Sequence, residues 1–245
     1  MENGDNKILL IIPAFNEEKS ILNTYNKIIS YNSESHTNYD VIVINDGSED
    51  KTKAICEKNN IPHLDLCINS GIGNAVQTGY MYAKEHDYDI AIQFDGDGQH
   101  DVSYVKNIIE PVVKGDADMV VGSRFIDQNS SNFKSSSARR AGIKIISFFI
   151  KLFTGTKIYD VTSGFRAVNK KLINYFAENY PSEYPEPVSE TSILKLKYKV
   201  KEIPVSMNER SEGISSIRTW KTVYFMINVV FSVIVESMGG YKNEH

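Results

Sequence analysis

The chain has 245 residues, of which 41% are hydrophobic and 24% are charged, and it carries a net charge of −4 at pH 7. This length suits one large α/β domain, or one domain with a helical appendage, and the apolar share is sufficient for a sizeable core. Non-specific nucleic-acid binding requires a basic surface, so this acidic balance argues against a nucleic-acid partner.

Strand and helix signals alternate from residue 7 to residue 122. Continuous apolar runs predict buried strands, and apolar residues at helical spacing between them predict helices. This alternation predicts an α/β fold with a doubly wound, mostly parallel sheet. In chain order we expect strands at 7–12, 40–44, 63–68, 90–94 and 119–122, and helices at 17–31, 50–59, 74–85 and 102–113.

The pattern changes after residue 125. A polar Ser/Asn-rich segment at 127–137 predicts a loop, and the three prolines between residues 180 and 187 predict an irregular segment. Apolar residues at helical spacing predict helices at 139–153 and 219–237, and apolar runs predict strands at 160–168 and 201–205.

The cysteines and the amino-terminal residues indicate the cellular compartment of the chain. Cys56 and Cys67 form no CxxC pair and have no histidine cluster nearby, so buried or half-buried free thiols in a reducing compartment are expected, with a disulfide between them as the alternative. The first residues are polar and lack the pattern of a secretory signal, so a cytoplasmic chain is expected. The most apolar stretch, residues 222–235, is shorter than the ~20 residues that span a bilayer.

Polar clusters follow three of the predicted strands, at residues 16–18, 46–48 and 95–97. Ligands of doubly wound sheets bind at the carboxyl ends of the strands, so these clusters predict a binding site there. Asp95 and Asp97 stand one residue apart on a glycine-rich turn, an arrangement that suits Mg²⁺ or Mn²⁺ held together with substrate phosphates. The alternative is an ordinary solvated Asp-Gly turn.

Six motifs then occur in family order: residues 13–18 (PAFNEE), 45–48 (NDGS), 69–75 (NSGIGNA), 95–100 (DGDGQH), 122–125 (GSRF) and 163–166 (SGFR). With them the chain resembles the family 2 glycosyltransferases. Within that family it is most similar to the dolichyl- and undecaprenyl-phosphate sugar transferases. The resemblance covers residues 7–215, and each motif is weak alone whereas the ordered set is specific.

The resemblance implies a GT-A fold and inverting transfer of a hexose from a nucleotide sugar, assisted by Mg²⁺ or Mn²⁺. It implies a catalytic domain at residues 1–215 and a C-terminal apolar helix and tail at 216–245. It assigns nucleotide binding to Pro13, Ala14, Asn16, Glu17, Asp46, Gly73, Asp95 and Gly96, metal binding to Asp95, Asp97 and Gln99, and phosphate contacts to Arg124, Arg139 and Arg210. Ile72 departs from the pattern, because many relatives have lysine between the glycines.

The acceptor implied by this branch is a polyprenyl phosphate, which is already anionic and needs positioning more than a general base. If a base is used, the candidates are Asp160, Glu186 and Glu190, of which Asp160 is preferred. The alternative for Asp160 is a salt bridge to Arg166 or Arg139. His100, which follows the acidic loop, is interpreted as a residue that orients it.

The predicted helix at 139–153 carries Arg140, Lys144 and Lys151 beside many apolar side chains, and the helix at 219–237 is apolar almost all round. Basic amphipathic helices lie in anionic membrane interfaces, so we expect a peripheral enzyme at the inner face of the membrane. The alternative is that both helices belong to the core or to a homo-oligomer interface. Two rival functions also stay open: transfer to a saccharide hydroxyl of a growing polysaccharide, and a non-catalytic membrane-bound partner.

Overall fold

A computed structural model describes residues 6–126, 137–206 and 219–239 of the chain. The expected loop at 127–137 lies outside these ranges except for its last residue, and Arg210 also lies outside them. The strands are β1 (Ile8–Ala14), β2 (Tyr39–Asn45), β3 (His63–Asp65), β4 (Ile90–Gln93), β5 (Met119–Ser123), β6 (Arg166–Asn169) and β7 (Val200–Pro204). The helices are α1 (Ile21–Ser35), α2 (Thr52–Lys58), α3 (Ile72–Glu85), α4 (Val105–Val113, preceded by a 3₁₀ turn), α5 (Ser137–Thr154), α6 (Lys170–Asn179), α7 (Pro185–Lys195) and α8 (Thr219–Met238).

The strands form one seven-stranded sheet in the order β3-β2-β1-β4-β6-β5-β7. Every neighbouring pair is parallel except the two pairs made by β6, which runs antiparallel between β4 and β5. The predicted α/β class and mostly parallel sheet are therefore confirmed. Because β6 is reversed, its first residues lie at the same edge as the carboxyl ends of its neighbours, which adds the 160–165 segment to that edge.

Helices cover both faces of the sheet. Successive side chains of β1 point to opposite faces, as the period of a strand requires. Leu10 and Ile12 join a core with α1, α2 and α4, whereas Leu9 and Ile11 join a second core with α3 and α6. All seven residues of β1 are buried, which explains why this strand appears in the sequence as a continuous apolar run.

Two parts of the sequence prediction were wrong. The expected strand at 160–168 begins only at Arg166, because residues 160–165 form turns and extended loop. The expected irregular segment at 180–187 gives way to α7 at Pro185, since proline is well tolerated in the first turn of a helix, where its missing N–H has no partner to lose. The helices α6 and α7 were not predicted.

A third core joins α5, α7 and α8 beside the sheet. Ile143, Ile146 and Ile150 of α5 are buried there against Val229 and Val233 of α8. Among the described residues, no helix is both long and apolar enough to cross a membrane. Both cysteines are free thiols, as expected; Cys56 is buried, but Cys67 is exposed, so the expectation of burial was wrong for Cys67.

Candidate active site

A cleft of about 500 Å³ opens at the carboxyl edge of the sheet. Of the residues assigned from the sequence, seven line it: Pro13, Ala14, Glu17, Asp46, Asp95, Gly96 and Asp97. The remaining lining residues are Phe15, Asn69, Gly71, Ile72, Ala75, Thr162, Gly164 and Glu186. The clusters that follow separate strands in the sequence therefore meet in one place, as the strand-end rule predicts.

The strand order gives the cleft a direction. Asp46 follows β2, Ala14 ends β1, Asp95 follows β4 and Gly164 precedes β6, and these four strands are consecutive in the sheet. Neighbouring strands lie about 4.8 Å apart, so the cleft runs about 14 Å across the sheet from Asp46 to Gly164. The acidic loop lies between these two ends.

Asp46 organises one end of the cleft. It is buried, and its Oδ1 accepts hydrogen bonds from the backbone N–H (2.8 Å) and the hydroxyl (2.9 Å) of Ser70. Its Oδ2 accepts from the N–H of Gly71 at 2.9 Å. The carboxylate thus holds the loop from which α3 begins, and its assigned role in nucleotide binding stays a prediction.

Asn16 and Gly73, both assigned to nucleotide binding, lie outside the lining of the cleft. The Asn16 side chain accepts the N–H of Glu49 at 2.8 Å and so ties the β1–α1 loop to the β2–α2 loop. At Gly73 an added Cβ would lie 2.3 Å from the carbonyl oxygen of Pro181 and 2.5 Å from that of Ser182. Glycine is therefore required there for close packing of α3 against this segment.

His100 supports the acidic loop, as the sequence interpretation expected. Its ring is buried, stacks on Phe165 at 4.8 Å between centroids and meets Phe94 edge-on at 5.4 Å. The His100 Nε2 atom lies 2.9 Å from Oδ2 of Asp95. Loss of hydration raises the pKa of Asp95, but His100, Arg124 and Gln93 lower this pKa by more, so it lies below its usual range. Asp95 therefore stays anionic.

Asp97 lines the cleft beside Asp95, and its Oδ1 accepts the backbone N–H of Gln99 at 3.0 Å. Within the described ranges, no three His, Cys, Asp or Glu side chains converge as a complete metal-binding set. Mg²⁺ is commonly held by one or two carboxylates together with substrate phosphates and water. Two carboxylates in an open cleft, one of them kept anionic, fit that kind of site.

Asp160 and Arg124 form a buried pair behind the cleft. Arg124 donates to both carboxylate oxygens of Asp160, from Nε at 2.7 Å and from Nη2 at 2.7 Å, and its backbone N–H donates at 2.9 Å. Asp160 has no exposed surface. The salt-bridge interpretation of Asp160 thus fits the contacts, with Arg124 as the partner shown, whereas Arg166 pairs with Glu190.

Arg124 also reaches the lining of the cleft. Its Nη2 donates to the hydroxyl of Thr162 at 3.0 Å, and Thr162 is a lining residue. The Arg139 side chain and all of Arg210 lie outside what the structure describes, so the phosphate clamp assigned to them stays a prediction.

The sequence suggested Glu186 as a possible base but not as a lining residue of the cleft, and it did not single out Thr162 or Gly164 as lining residues.

A second buried pair, Arg166 with Glu190, lies beneath Glu186. Arg166 Nη2 donates to Glu190 Oε1 at 2.8 Å and Nε donates to the carbonyl of Ser163 at 2.7 Å. No sequence spacing connects these residues, because β6 and α7 meet only in the folded chain.

Burial raises the pKa of Glu190 to about 8, against the lowering effect of Arg166, and Glu202, Asp160 and Glu186 add to the rise. The native state then keeps a proton that the unfolded chain releases near pH 4.5. Stability should therefore fall as pH rises between these two values, by at most about 1.4 kcal/mol per pH unit. We expect Glu190→Gln to flatten this slope.

Urea unfolding of Glu190→Gln at several pH values checks this expectation, with the exposed Glu178→Gln as the matched control. The control should keep the slope of the parent chain. An unchanged slope in Glu190→Gln would show that Glu190 is already ionised in the native state.

The sequence profile described as "Glycosyl transferase family 2" matches residues 9–176. A UDP-N-acetylglucosamine–dolichyl-phosphate N-acetylglucosaminyltransferase from Methanococcus voltae is 33% identical over 82% of this chain and 86% of its own length. An undecaprenyl-phosphate mannosyltransferase from Micrococcus luteus is 29% identical over 66% of this chain and 65% of its own.

A solved structure of glucosyl-3-phosphoglycerate synthase from Mycobacterium tuberculosis, with Mn²⁺, UDP-glucose and phosphoglyceric acid, is also similar. The match covers 97% of this chain and 81% of the synthase chain, with a TM-score of 0.69 and 15% sequence identity. At this identity the likeness concerns the fold, and it confirms the GT-A architecture.

Proposed function

Because this chain belongs to glycosyltransferase family 2, we propose that it transfers a hexose from a nucleotide sugar, linked to UDP or GDP, to a polyprenyl phosphate. Such a product would supply a sugar for cell-surface glycan synthesis. One observation carries the proposal: a single cleft runs from Asp46 past the Asp95–Asp97 loop to Thr162. A nucleoside, a diphosphate and a sugar can lie in that order along it.

The residues around the diphosphate position favour a bound cation. Asp95 and Asp97 are anionic side chains that would repel a diphosphate alone, and they would hold Mg²⁺ or Mn²⁺. When bound, the cation supplies charge neutralisation for the leaving nucleoside diphosphate. The α3 N-terminus also lines the cleft through Gly71 and Ile72, and helix N-termini favour phosphate groups. These contacts offset the absence of a lysine at position 72.

The acceptor step needs no proton transfer if the nucleophile is a phosphate. A phosphate oxygen attacks the anomeric carbon, the bond to the diphosphate breaks, and the configuration inverts. The preferred base, Asp160, has both oxygens bonded to Arg124, which leaves it poorly placed to accept a proton. This pairing favours the lipid phosphate over a saccharide hydroxyl, and the polyprenyl-phosphate relatives support the same choice.

The surface of α5 and α8 suits a lipid acceptor. Ile145, Phe148 and Leu152 are exposed on α5, with Phe148 at 61% exposure. Arg140, Lys144 and Lys151 are exposed on the same helix. The exposed apolar residues of α8 are Ile227, Phe231, Val235 and Met238. Apolar side chains flanked by basic ones favour the interface of an anionic membrane, so we place the enzyme peripherally at the inner face.

Replacing Phe148 with glutamate should weaken binding to vesicles that contain anionic lipid by at least about tenfold. The change removes an apolar contact worth about 1.5–3 kcal/mol when fully buried and adds a repelled charge. Co-sedimentation with vesicles measures the loss. Met81→Glu is the matched control, because Met81 is equally apolar, is 54% exposed and lies on α3.

If Phe148→Glu binds vesicles as well as the parent chain does, the membrane proposal fails. If the variant instead changes the chain from dimer to monomer, this face is an interface between two copies, which is the homo-oligomer alternative.

The reaction itself is tested by release of nucleoside diphosphate from a panel of UDP- and GDP-sugars with Mn²⁺. The proposal expects release that depends on a short polyprenyl phosphate and is absent with the corresponding polyprenol. Release that depends on a saccharide acceptor would support polysaccharide elongation. Tight donor binding without turnover would support a non-catalytic membrane-bound partner.

A further inference from the structure

Glu186 lines the cleft together with Thr162 and Gly164, which belong to the segment that leads into β6. Its carbonyl oxygen accepts a hydrogen bond from Arg166, the first residue of β6. In the sheet, β6 is separated from β2 by β1 and β4, so the acidic loop after β4 lies between Asp46 and the β6 end of the cleft, to which Glu186 is anchored. A donor with its base near Asp46 and its diphosphate at the acidic loop would place its sugar ring beside Glu186.

The backbone of Glu186 is firmly anchored. Its carbonyl oxygen accepts from Arg166 Nη1 at 3.1 Å and from the hydroxyl of Ser189 at 3.1 Å, and Arg166 Nη1 also donates to that hydroxyl at 3.0 Å. Arg166 is almost fully buried. Tyr184, just before α7, has a left-handed φ of 50°, which turns the chain sharply into the helix. These contacts fix the first turn of α7 against the cleft.

The charge of Glu186 narrows what it can bind. A carboxylate beside Asp95 would repel a diphosphate. Burial raises the pKa of Glu186 and the charge of the nearby Asp95 adds to the rise, while Arg166 lowers this pKa. A carboxyl group accepts hydrogen bonds in its ionised form and can also donate one when protonated, so either form can bind a hydroxyl. A sugar ring offers several hydroxyls and no charge.

Gly164 lets the segment before β6 pack closely against the acidic loop. An added Cβ there would lie 2.9 Å from Nε2 of Gln93 and 3.0 Å from Oδ1 of Asp95. Any side chain at this position would therefore displace Gln93 or Asp95. Asp95, Thr162 and Glu186 line the cleft around Gly164, and their oxygens can form hydrogen bonds to hydroxyls.

We propose that Glu186 is a sugar-binding residue that hydrogen-bonds a ring hydroxyl of the donor hexose and thereby contributes to the choice of sugar. This inference rests on the proposed function, because it assumes a nucleotide-sugar donor. In this proposal Glu186 binds the sugar in both the ground state and the transition state, and it takes no part in proton transfer.

The test compares the binding of a nucleotide sugar with that of its nucleoside diphosphate, in the presence of Mn²⁺, by isothermal titration calorimetry. Glu186→Ala should weaken nucleotide-sugar binding by about 10- to 100-fold, the range for losing a hydrogen bond to a charged group. The affinity of Glu186→Ala for the nucleoside diphosphate should stay within about twofold of that of the parent chain. Glu186→Gln should restore most of the sugar affinity, and the exposed Glu178→Ala should change neither.

Deoxy analogues of the donor identify the hydroxyl. The analogue that lacks the contacted hydroxyl should bind the parent chain about as weakly as the intact donor binds Glu186→Ala, and it should lose no further affinity in that variant. If, for every analogue, the loss of affinity from the missing hydroxyl adds in full to the loss from Glu186→Ala, the inference is overturned.

Other results also overturn it. Equal loss of affinity for the diphosphate and the nucleotide sugar in Glu186→Ala would mean a structural role for this residue. Loss of turnover in Glu186→Gln with unchanged sugar affinity would make Glu186 a general base. A parent chain that binds no nucleotide sugar at all would contradict the proposed function itself, a result separate from these.

Discussion

Replacing Asp97 with asparagine should lower the rate of hexose transfer by about 10³-fold, which corresponds to a loss of about 4 kcal/mol of transition-state stabilisation. Asp97 lines the cleft beside Asp95. In the proposed reaction the donor diphosphate would gain negative charge there as the bond to the sugar breaks. Asparagine keeps the size of the side chain and the oxygen that accepts the Gln99 N–H, but it removes the charge that holds a cation.

Steady-state release of nucleoside diphosphate over a range of Mn²⁺ concentrations measures this effect. The fold should be unaffected, because Asp97 is only partly buried. Asp116→Asn is the matched control, since Asp116 is exposed and pairs with Lys201 at 3.2 Å away from the cleft. Full activity of Asp97→Asn at low Mn²⁺ would contradict the assignment of the acidic loop to metal binding.

The second large effect concerns stability. Replacing Asp160 with alanine should destabilise the fold by about 3–5 kcal/mol, because it leaves the buried guanidinium of Arg124 without its partner. For a chain of this size that corresponds to a fall in Tm of roughly 6–20 °C. Activity should fall as well, because the pair fixes the segment that carries Thr162 into the cleft.

Thermal unfolding of Asp160→Ala, Arg124→Ala and the double variant checks this prediction. The double variant should be less destabilised than the sum of the two single changes, since neither charge is then left alone. Asp116→Ala, which breaks an exposed ion pair, should cost no more than about 1 kcal/mol. If Asp160→Ala keeps its Tm but loses turnover, Asp160 acts on the reactants directly and the general-base interpretation returns.

The sequence was sufficient to predict the part of the fold that depends on local pattern. Continuous apolar runs predicted β1, β2, β4 and β5, because strands covered on both faces contain few polar residues. The rule that ligands bind at strand ends then placed Asp46, Asp95 and Asp97 in one site, and the cleft contains all three.

Helix α7 could not be predicted in this way. Nine of its residues between Pro185 and Leu194 are buried, so it has no polar face and no helical period that a pattern could reveal. Its prolines also pointed to a loop. Glu186 lies in the cleft because α7 contacts Arg166 of β6. No fixed spacing in the sequence indicates this contact.

The roles of Asn16 and Gly73 show a related limit. Both belong to the motifs that carry the family resemblance, and the structure shows that each holds neighbouring backbone in place outside the lining of the cleft. A motif position can support a site from outside its lining, either because its side chain holds the surrounding loops, as at Asn16, or because the lack of a side chain lets backbone pack closely, as at Gly73. Sequence alone does not separate such a position from one that lines the site.

The most direct test of the central claim is the identity of the lipid product. The purified chain is incubated with Mn²⁺, a nucleotide sugar and a short polyprenyl phosphate, and the extracted lipid is analysed by mass spectrometry and NMR. The account predicts a polyprenyl phosphate that has gained one hexose on a phosphate oxygen, with inverted anomeric configuration and no product from Asp97→Asn. Hexose found only on a saccharide acceptor, or a lipid left unchanged while the donor is consumed, would contradict it.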